Sequence, residues 1–104
     1  MRCRRCTPLP EEIREVAVLL ERRWTVSILW ASTEGAVRFN EFLQVLGPVP
    51  PATLTARLAE LEGAGVLERE VLDTRPPRVE YRLTERGRRL GTVIHAVTQF
   101  AGSA

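Results

Sequence analysis

The side chains with the clearest chemical potential in this 104-residue chain are threonines and arginines gathered between positions 52 and 89. Thr53, Thr55 and Arg57 follow one another within about one helical turn. A threonine hydroxyl can bond a phosphate or a base edge, and its methyl can pack on thymine. A guanidinium is a planar fork that fits either a guanine edge or a phosphate, and both stay open for Arg57. Ala52 and Ala56 are small enough to let a helix backbone approach a groove. Further on, Thr74-Arg75-Pro76-Pro77-Arg78 sets two arginines around a diproline. The prolines restrict the turn, so presenting Arg75 and Arg78 costs less entropy. Arginines presented this way suit a phosphate backbone, or a minor groove whose width they sense. Arg38 beside Asn40 is a further phosphate candidate. The plain alternative is a solvated helix and loop with incidental charge.

Positioning those groups requires a helix followed by a hairpin, and the spacing predicts both. Leu54, Leu58 and Leu61 recur at i, i+4 and i+7, one apolar face that leaves Ala52, Thr53, Thr55 and Ala56 outward and Arg57 on the flank. Gly63 and Gly65 supply the stop signal. Two β-prone runs follow, 66–72 and 78–83, split by the turn-like segment 73–77. Upstream, Pro10 can open a first helix with Glu11 and Glu12 at its positive end, and Ile13, Val16, Ala17 and Leu20 mark its apolar stripe. The run WTVSILWAS, 24–32, is apolar enough for a buried central helix, with Trp24 and Trp30 in the core. Arg38-Phe39 suits a very short strand, and Asn40 suits the N-cap of a short helix bearing Phe42, Leu43 and Leu46. Thr84 can cap a last helix carrying Leu90, Val93, Ile94, Val97 and Phe100. The fold class is therefore mainly α with a small β-wing: a helix-turn-helix followed by a hairpin, the winged-helix order. We expect a flexible basic arm over 1–9 and one domain over 10–104.

Composition narrows the function. All 15 basic residues are arginine, while the net charge is only +2. Codon bias toward arginine explains the first fact as well as phosphate binding does, so distribution matters more. From 69 to 89 seven arginines face four carboxylates, an excess of three, whereas 11–21 is net acidic. That asymmetry fits a polyanion at the wing end. No apolar run approaches the roughly 20 residues of a membrane span, and the default location is cytoplasmic. There is no nucleophile elbow, no glycine-rich phosphate loop and no second histidine beside His95, so an enzyme is not expected and no cofactor is called for. His95, among apolar neighbours, fits packing or a subunit interface.

In chain order, RRWTVSIL, RFNEFLQVL, TLTARLAELEGAGVLERE, PPRVEYRLTERGRRL and the final apolar helix resemble the HxlR-type winged helix-turn-helix transcriptional regulators of the MarR-like superfamily. The resemblance covers about residues 20–101, and its PPRVEY–LT–G segment is quite specific. It implies a homodimer built from the first and last helices, which here would place Ile13, Val16, Leu20, Ile94, Val97 and Phe100 in the interface. It also implies double-stranded DNA as partner, through a palindromic operator straddled by two wings. The recognition helix maps to 51–62 and the wing to 66–83. Repression by occupying the operator is the simplest mechanism for so small a chain. The alternative from another class is a winged helix used as a protein-interaction or dimerisation module. Glu60, Glu62, Glu68 and Glu70 would favour that alternative if they clustered on the groove face.

Many members of that family sense oxidants or electrophiles through a cysteine near the start of the first helix, a position that aligns with Glu11 here. The cysteines of this chain lie earlier, Cys3 and Cys6, in a C-x-x-C flanked by Arg2, Arg4 and Arg5. Neighbouring guanidiniums favour the thiolate, which makes the pair a redox candidate. A zinc site would need further ligands, and the one histidine is distant. The remaining reading is a tail whose cysteines regulate nothing. A small-molecule effector between dimer helices, beside Trp24 and Trp30, has no identifying residue.

Overall fold

The computed structural model describes residues 6–103, and its elements follow the predicted order of helices and hairpin. Helix α1, Glu11–Glu21, opens behind Pro10 with Glu11 and Glu12 in its first turn, where the helix dipole favours negative charge. The basic arm and Cys3 lie largely outside the described residues. Helix α1 ends in a tight elbow: Arg22 is extended and Trp24 takes a left-handed φ of 79°. Helix α2, Thr25–Thr33, is the central helix, with Thr25, Ile28, Leu29, Ala31 and Ser32 buried. The expectation that both tryptophans are core needs correction. Trp24 is only partly buried against the core, and Trp30 is 39% exposed. Trp30 lies one turn beyond the exposed Val26, so the outer face of α2 stays open although the run is apolar throughout.

Helix α3, Phe39–Leu46, corrects two further expectations. Arg38, not Asn40, holds the N-cap position, and Asn40 is an exposed residue of the first turn. Glu41 does the capping instead: its carboxylate accepts the N–H groups of Val37 and Arg38, each at 2.9 Å. No strand forms at Arg38-Phe39, because Phe39 already opens the helix; a single bond from Tyr81 N–H to the Val37 carbonyl, 2.7 Å, ties that loop to the hairpin.

Helix α4, Pro51–Gly63, begins on a proline at its first position and turns Leu54, Leu58 and Leu61 fully inward. Gly65 then supplies the positive φ, 73°, that turns the chain into the hairpin. Strands β1, Leu67–Leu72, and β2, Arg78–Leu83, pair antiparallel from Leu67 opposite Leu83 to Leu72 opposite Arg78. Helix α5, Glu85–Gly102, starts at Thr84, whose hydroxyl oxygen accepts the Gly87 N–H at 3.0 Å. The core joins Ile28 and Leu29 of α2, Phe42 of α3, the three leucines of α4, Val66, Leu67 and Ile94. Among the described residues no helix is long and apolar enough to cross a membrane.

Candidate nucleic-acid interface

The outer face of α4 begins with the smallest side chains. Ala52, Thr55, Ala56 and Ala59 are exposed, while Thr53 is half-buried at the edge. Such a stripe lets a helix backbone approach a surface closely. Ala59 was not among the expected residues, although it stands at i+7 from Ala52 and the same helical period points to it. The Thr55 hydroxyl donates to the Pro51 carbonyl at 3.1 Å, which leaves its oxygen able to act as an acceptor.

Arg57 is not an outward-facing member of this set. Its side chain is 16% exposed and turned toward the protein. Nε donates to the Arg23 carbonyl at 2.9 Å, and a terminal nitrogen bonds Glu60 at 3.2 Å. The helical wheel places Arg57 on the flank, and the carbonyl at the α1–α2 elbow draws it inward. The elbow's three-dimensional position is invisible in the sequence.

The hairpin divides its arginines between two tasks. Arg82 lies between two carboxylates that face each other across the strands, with Nε 3.8 Å from Glu70 and a terminal nitrogen bonded to Glu80. Arg38 also pairs with Glu80, at 3.8 Å. Glu80 is 5% exposed, and these two guanidiniums offset the cost of burying its charge. At the tip, Arg75 and Arg78 are exposed and make no ion pair among the described residues. The Thr74 hydroxyl donates across the turn to the Pro76 carbonyl at 2.8 Å, bracing the segment that carries them.

Of the four glutamates, only Glu62 continues the face of α4 that carries the small residues, at i+7 from Thr55. Glu60 is tied to Arg22 and Arg57, and Glu70 to Arg82; Glu62 and Glu68 are exposed. Two carboxyls sit below the ordinary glutamate range. Glu41 is held there first by the Val37 and Arg38 N–H groups, and Glu85 first by its hydrogen bond from Arg88.

The residues expected at a subunit interface fall into three groups. Ile13, Val97 and Phe100 are exposed, and Phe100 is 81% so. Val16 and Leu20 are half-buried in the protomer. Ile94 is a correction: it is 2% exposed, inside the protomer's own core. Gly87 and Ile94 are the buried positions of α5, while Val93, Val97 and Phe100 form an exposed line along its flank. His95 is exposed, and Cys6 is exposed ahead of α1.

A family model described as HxlR-like helix-turn-helix matches residues 19–104. Among curated relatives, an HTH-type transcriptional regulator of Synechocystis is 39% identical over 85 residues, 82% of this chain and 63% of that protein. YvaP of Bacillus subtilis, also an HTH-type transcriptional regulator, is 34% identical over 83 residues, 80% of this chain and 77% of the relative. The chain thus spans less than two thirds of some relatives, and 56% of YdeP from B. subtilis. Among solved structures, the reduced form of the transcriptional regulator YodB from B. subtilis is 31% identical with a TM-score of 0.78, covering 90% of this chain and 92% of that one. The redox regulator HypR in its oxidised form is 31% identical with a TM-score of 0.82, covering 89% and 96%.

Proposed function

The chain belongs to the HxlR-like helix-turn-helix family of transcriptional regulators, and on that premise we propose that it acts as a homodimeric repressor occupying a near-palindromic DNA operator. One observation carries the contact model: the small-residue face at the start of α4 and the guanidiniums of Arg75 and Arg78, which make no ion pair among the described residues, are both exposed. In this reading α4 enters the major groove, with Ala52, Ala56 and Ala59 allowing close approach and Thr53 and Thr55 meeting bases or phosphates. Arg75 and Arg78 lie along the backbone or the adjacent minor groove. Asn40, exposed in the first turn of α3, then serves a phosphate, and Arg38 does so only by leaving its pairing with Glu80.

Two copies are required because one short helix reads only a few base pairs, and a two-fold pair reads both halves of a palindrome. The exposed residues Val93, Val97 and Phe100 of α5, with Ile13 and Val16 of α1, are the surface we assign to that contact. Repression then follows from occupancy alone.

Redox control is part of the proposal. YodB and HypR are described as reduced, oxidised and diamide-treated regulators, and this chain carries its own C-x-x-C ahead of α1. Diamide would take two protons and two electrons from a pair of thiols, joining them as a disulfide. Cys6 is exposed and so accessible to that reagent.

The deciding experiment is fluorescence anisotropy of the chain on duplexes it selects from a random pool, over a salt series, reduced and after diamide. The expected result is binding that resists scrambled competitor and changes on oxidation. Equal competition by scrambled DNA sinks the operator reading and leaves the protein-interaction alternative. Indifference to diamide removes the redox part alone.

A further inference from the structure

The residues joining α1 to α2 make directional contacts with α4, although no base or phosphate contact requires them. Apolar packing of Leu54, Leu58 and Leu61 sets which face of α4 is inward, and directional contacts at the edge of that face act on the rotation and sliding that remain. Two polar contacts cross from the elbow to α4, and a third, within α4, links them. Arg57 Nε donates to the Arg23 carbonyl at 2.9 Å, Arg57 bonds Glu60 at 3.2 Å, and Arg22 pairs with the same Glu60 oxygen at 3.4 Å. The receiving segment is itself sharply defined. Trp24 holds its left-handed φ, the Arg23 guanidinium lies 5.4 Å over its ring, and the Thr25 N–H closes the turn on the Arg22 carbonyl at 3.2 Å. An ordered elbow holds the Arg23 carbonyl in a set position, which favours a donor on the facing side of α4.

We infer that Arg57 and Glu60 are positioning residues: together with the Arg22–Arg23–Trp24 elbow they clamp the rotation and axial placement of α4, and so act on DNA recognition without touching DNA. The inference rests on the reading of α4 as the DNA-contacting helix. The clamp also gives α1 a rigid connection to α4, because the elbow is the continuation of α1. The second Glu60 oxygen is buried without a hydrogen-bond partner, so this carboxylate depends on its two arginines. Glu60 stands one turn from Arg57, and their side chains meet on the face of α4 that looks toward the elbow.

The test compares a duplex selected from a random pool by the wild-type chain with a scrambled duplex of equal length. Arg57→Ala should lower affinity for the selected duplex by roughly 2- to 30-fold, the range of coupling effects from residues that touch no ligand. Affinity for the scrambled duplex and the slope of log affinity against log salt should stay as in the wild type. A phosphate-contacting arginine behaves differently: its removal makes the slope shallower by about one and weakens both duplexes. Glu60→Gln gives opposite signs for the two roles. If Glu60 merely restrained a DNA-seeking Arg57, releasing it would tighten binding, whereas a broken clamp weakens it. Arg57→Lys keeps the charge but loses the fork, and it should repeat the selective weakening where Arg57→Ala does not fold. A change of slope, unchanged affinity for the selected duplex, or tighter binding by Glu60→Gln would each overturn the inference. A wild-type chain that selects no duplex sinks the regulator reading by itself. The clamp is then decided by amide exchange along α4 in the free protein: faster exchange in Arg57→Lys or Glu60→Gln supports it, and unchanged protection overturns it.

Discussion

Gly87 lies directly against the Val66 carbonyl: a β-carbon at position 87 would stand 2.1 Å from that oxygen and 3.1 Å from Leu83. The same carbonyl accepts the Thr84 N–H at 3.1 Å, and the Thr84 hydroxyl turns toward the Gly65 and Val66 carbonyls while accepting the Gly87 N–H. The end of the α4 turn, the base of the hairpin and the start of α5 are thus fastened at one point. Gly87→Ala should destabilise the chain by about 1–3 kcal/mol or more, the cost of overpacking, because the obstacle is backbone and cannot rotate away. Urea unfolding should show a lower midpoint with an unchanged slope. An unchanged midpoint would mean that α5 can shift freely on the hairpin.

That junction also shows what is legible in the sequence. Thr84 as a cap and the leucine face of α4 follow from local chemistry, because capping and helical period act within a few residues. The extent of the hairpin is equally readable, since the strands are short and their turn is marked by prolines. Arg57, Asn40, Trp30 and Ile94 differ from expectation, three of them through long-range packing. Arg57 and Ile94 depend on what a distant segment offers, the Arg23 carbonyl and the packing of α5 on α2, and Trp30 on an outer face of α2 that stays open. Asn40 differs for a local reason, since Glu41 in the same turn accepts the Val37 and Arg38 N–H groups. Helical spacing says that a residue lies near a boundary, not which neighbour claims it.

The wing tip yields a prediction about salt. Arg75 and Arg78 are exposed and unpaired among the described residues, so each is available to displace a counterion from DNA. Arg75→Ala and Arg78→Ala should each make the slope of log affinity against log salt shallower by about one for every phosphate left without its guanidinium. They should weaken selected and scrambled duplexes alike. Arg82→Ala serves as the contrast, because Arg82 is engaged with Glu70 and Glu80; its expected effect is on hairpin stability. Unchanged slopes in both tip variants would take the wing off the DNA.

Glu41 makes stability depend on pH in a definite direction. Its folded-state pKa is lowered, first by the Val37 and Arg38 N–H groups that its carboxylate accepts, with the Arg38 charge adding and partial desolvation opposing. The contribution is therefore complete above the unfolded-chain value of about 4.3 and is lost as pH falls through the lower folded value. Wild type and Glu41→Gln should differ most in urea midpoint near neutrality and converge in acid. Glu85, lowered by Arg88, titrates in the same direction, but it is present in both proteins and cancels in the difference. A gap that widens on acidification would contradict the assignment.

The exposed line of α5 separates interface from core within a single helix. Phe100 is 81% exposed, Val93 and Val97 stand on the same exposed line, and Ile94 faces inward at 2%. Phe100→Glu should leave the protomer folded, since that ring is packed against little of its own chain, while placing a charge where a second copy would have to pair with it. Sedimentation should then report a monomer at concentrations where the wild type is a dimer. Affinity for a two-half-site duplex should fall further than affinity for a single half-site, because the two reading heads no longer act as one ligand. Ile94→Ala should do the reverse, lowering stability by about 2–5 kcal/mol through the cavity it leaves, with dimerisation kept wherever the protomer remains folded. A Phe100→Glu protein that still sediments as a dimer would place the subunit contact elsewhere, and α5 would be left to hold the protomer together alone.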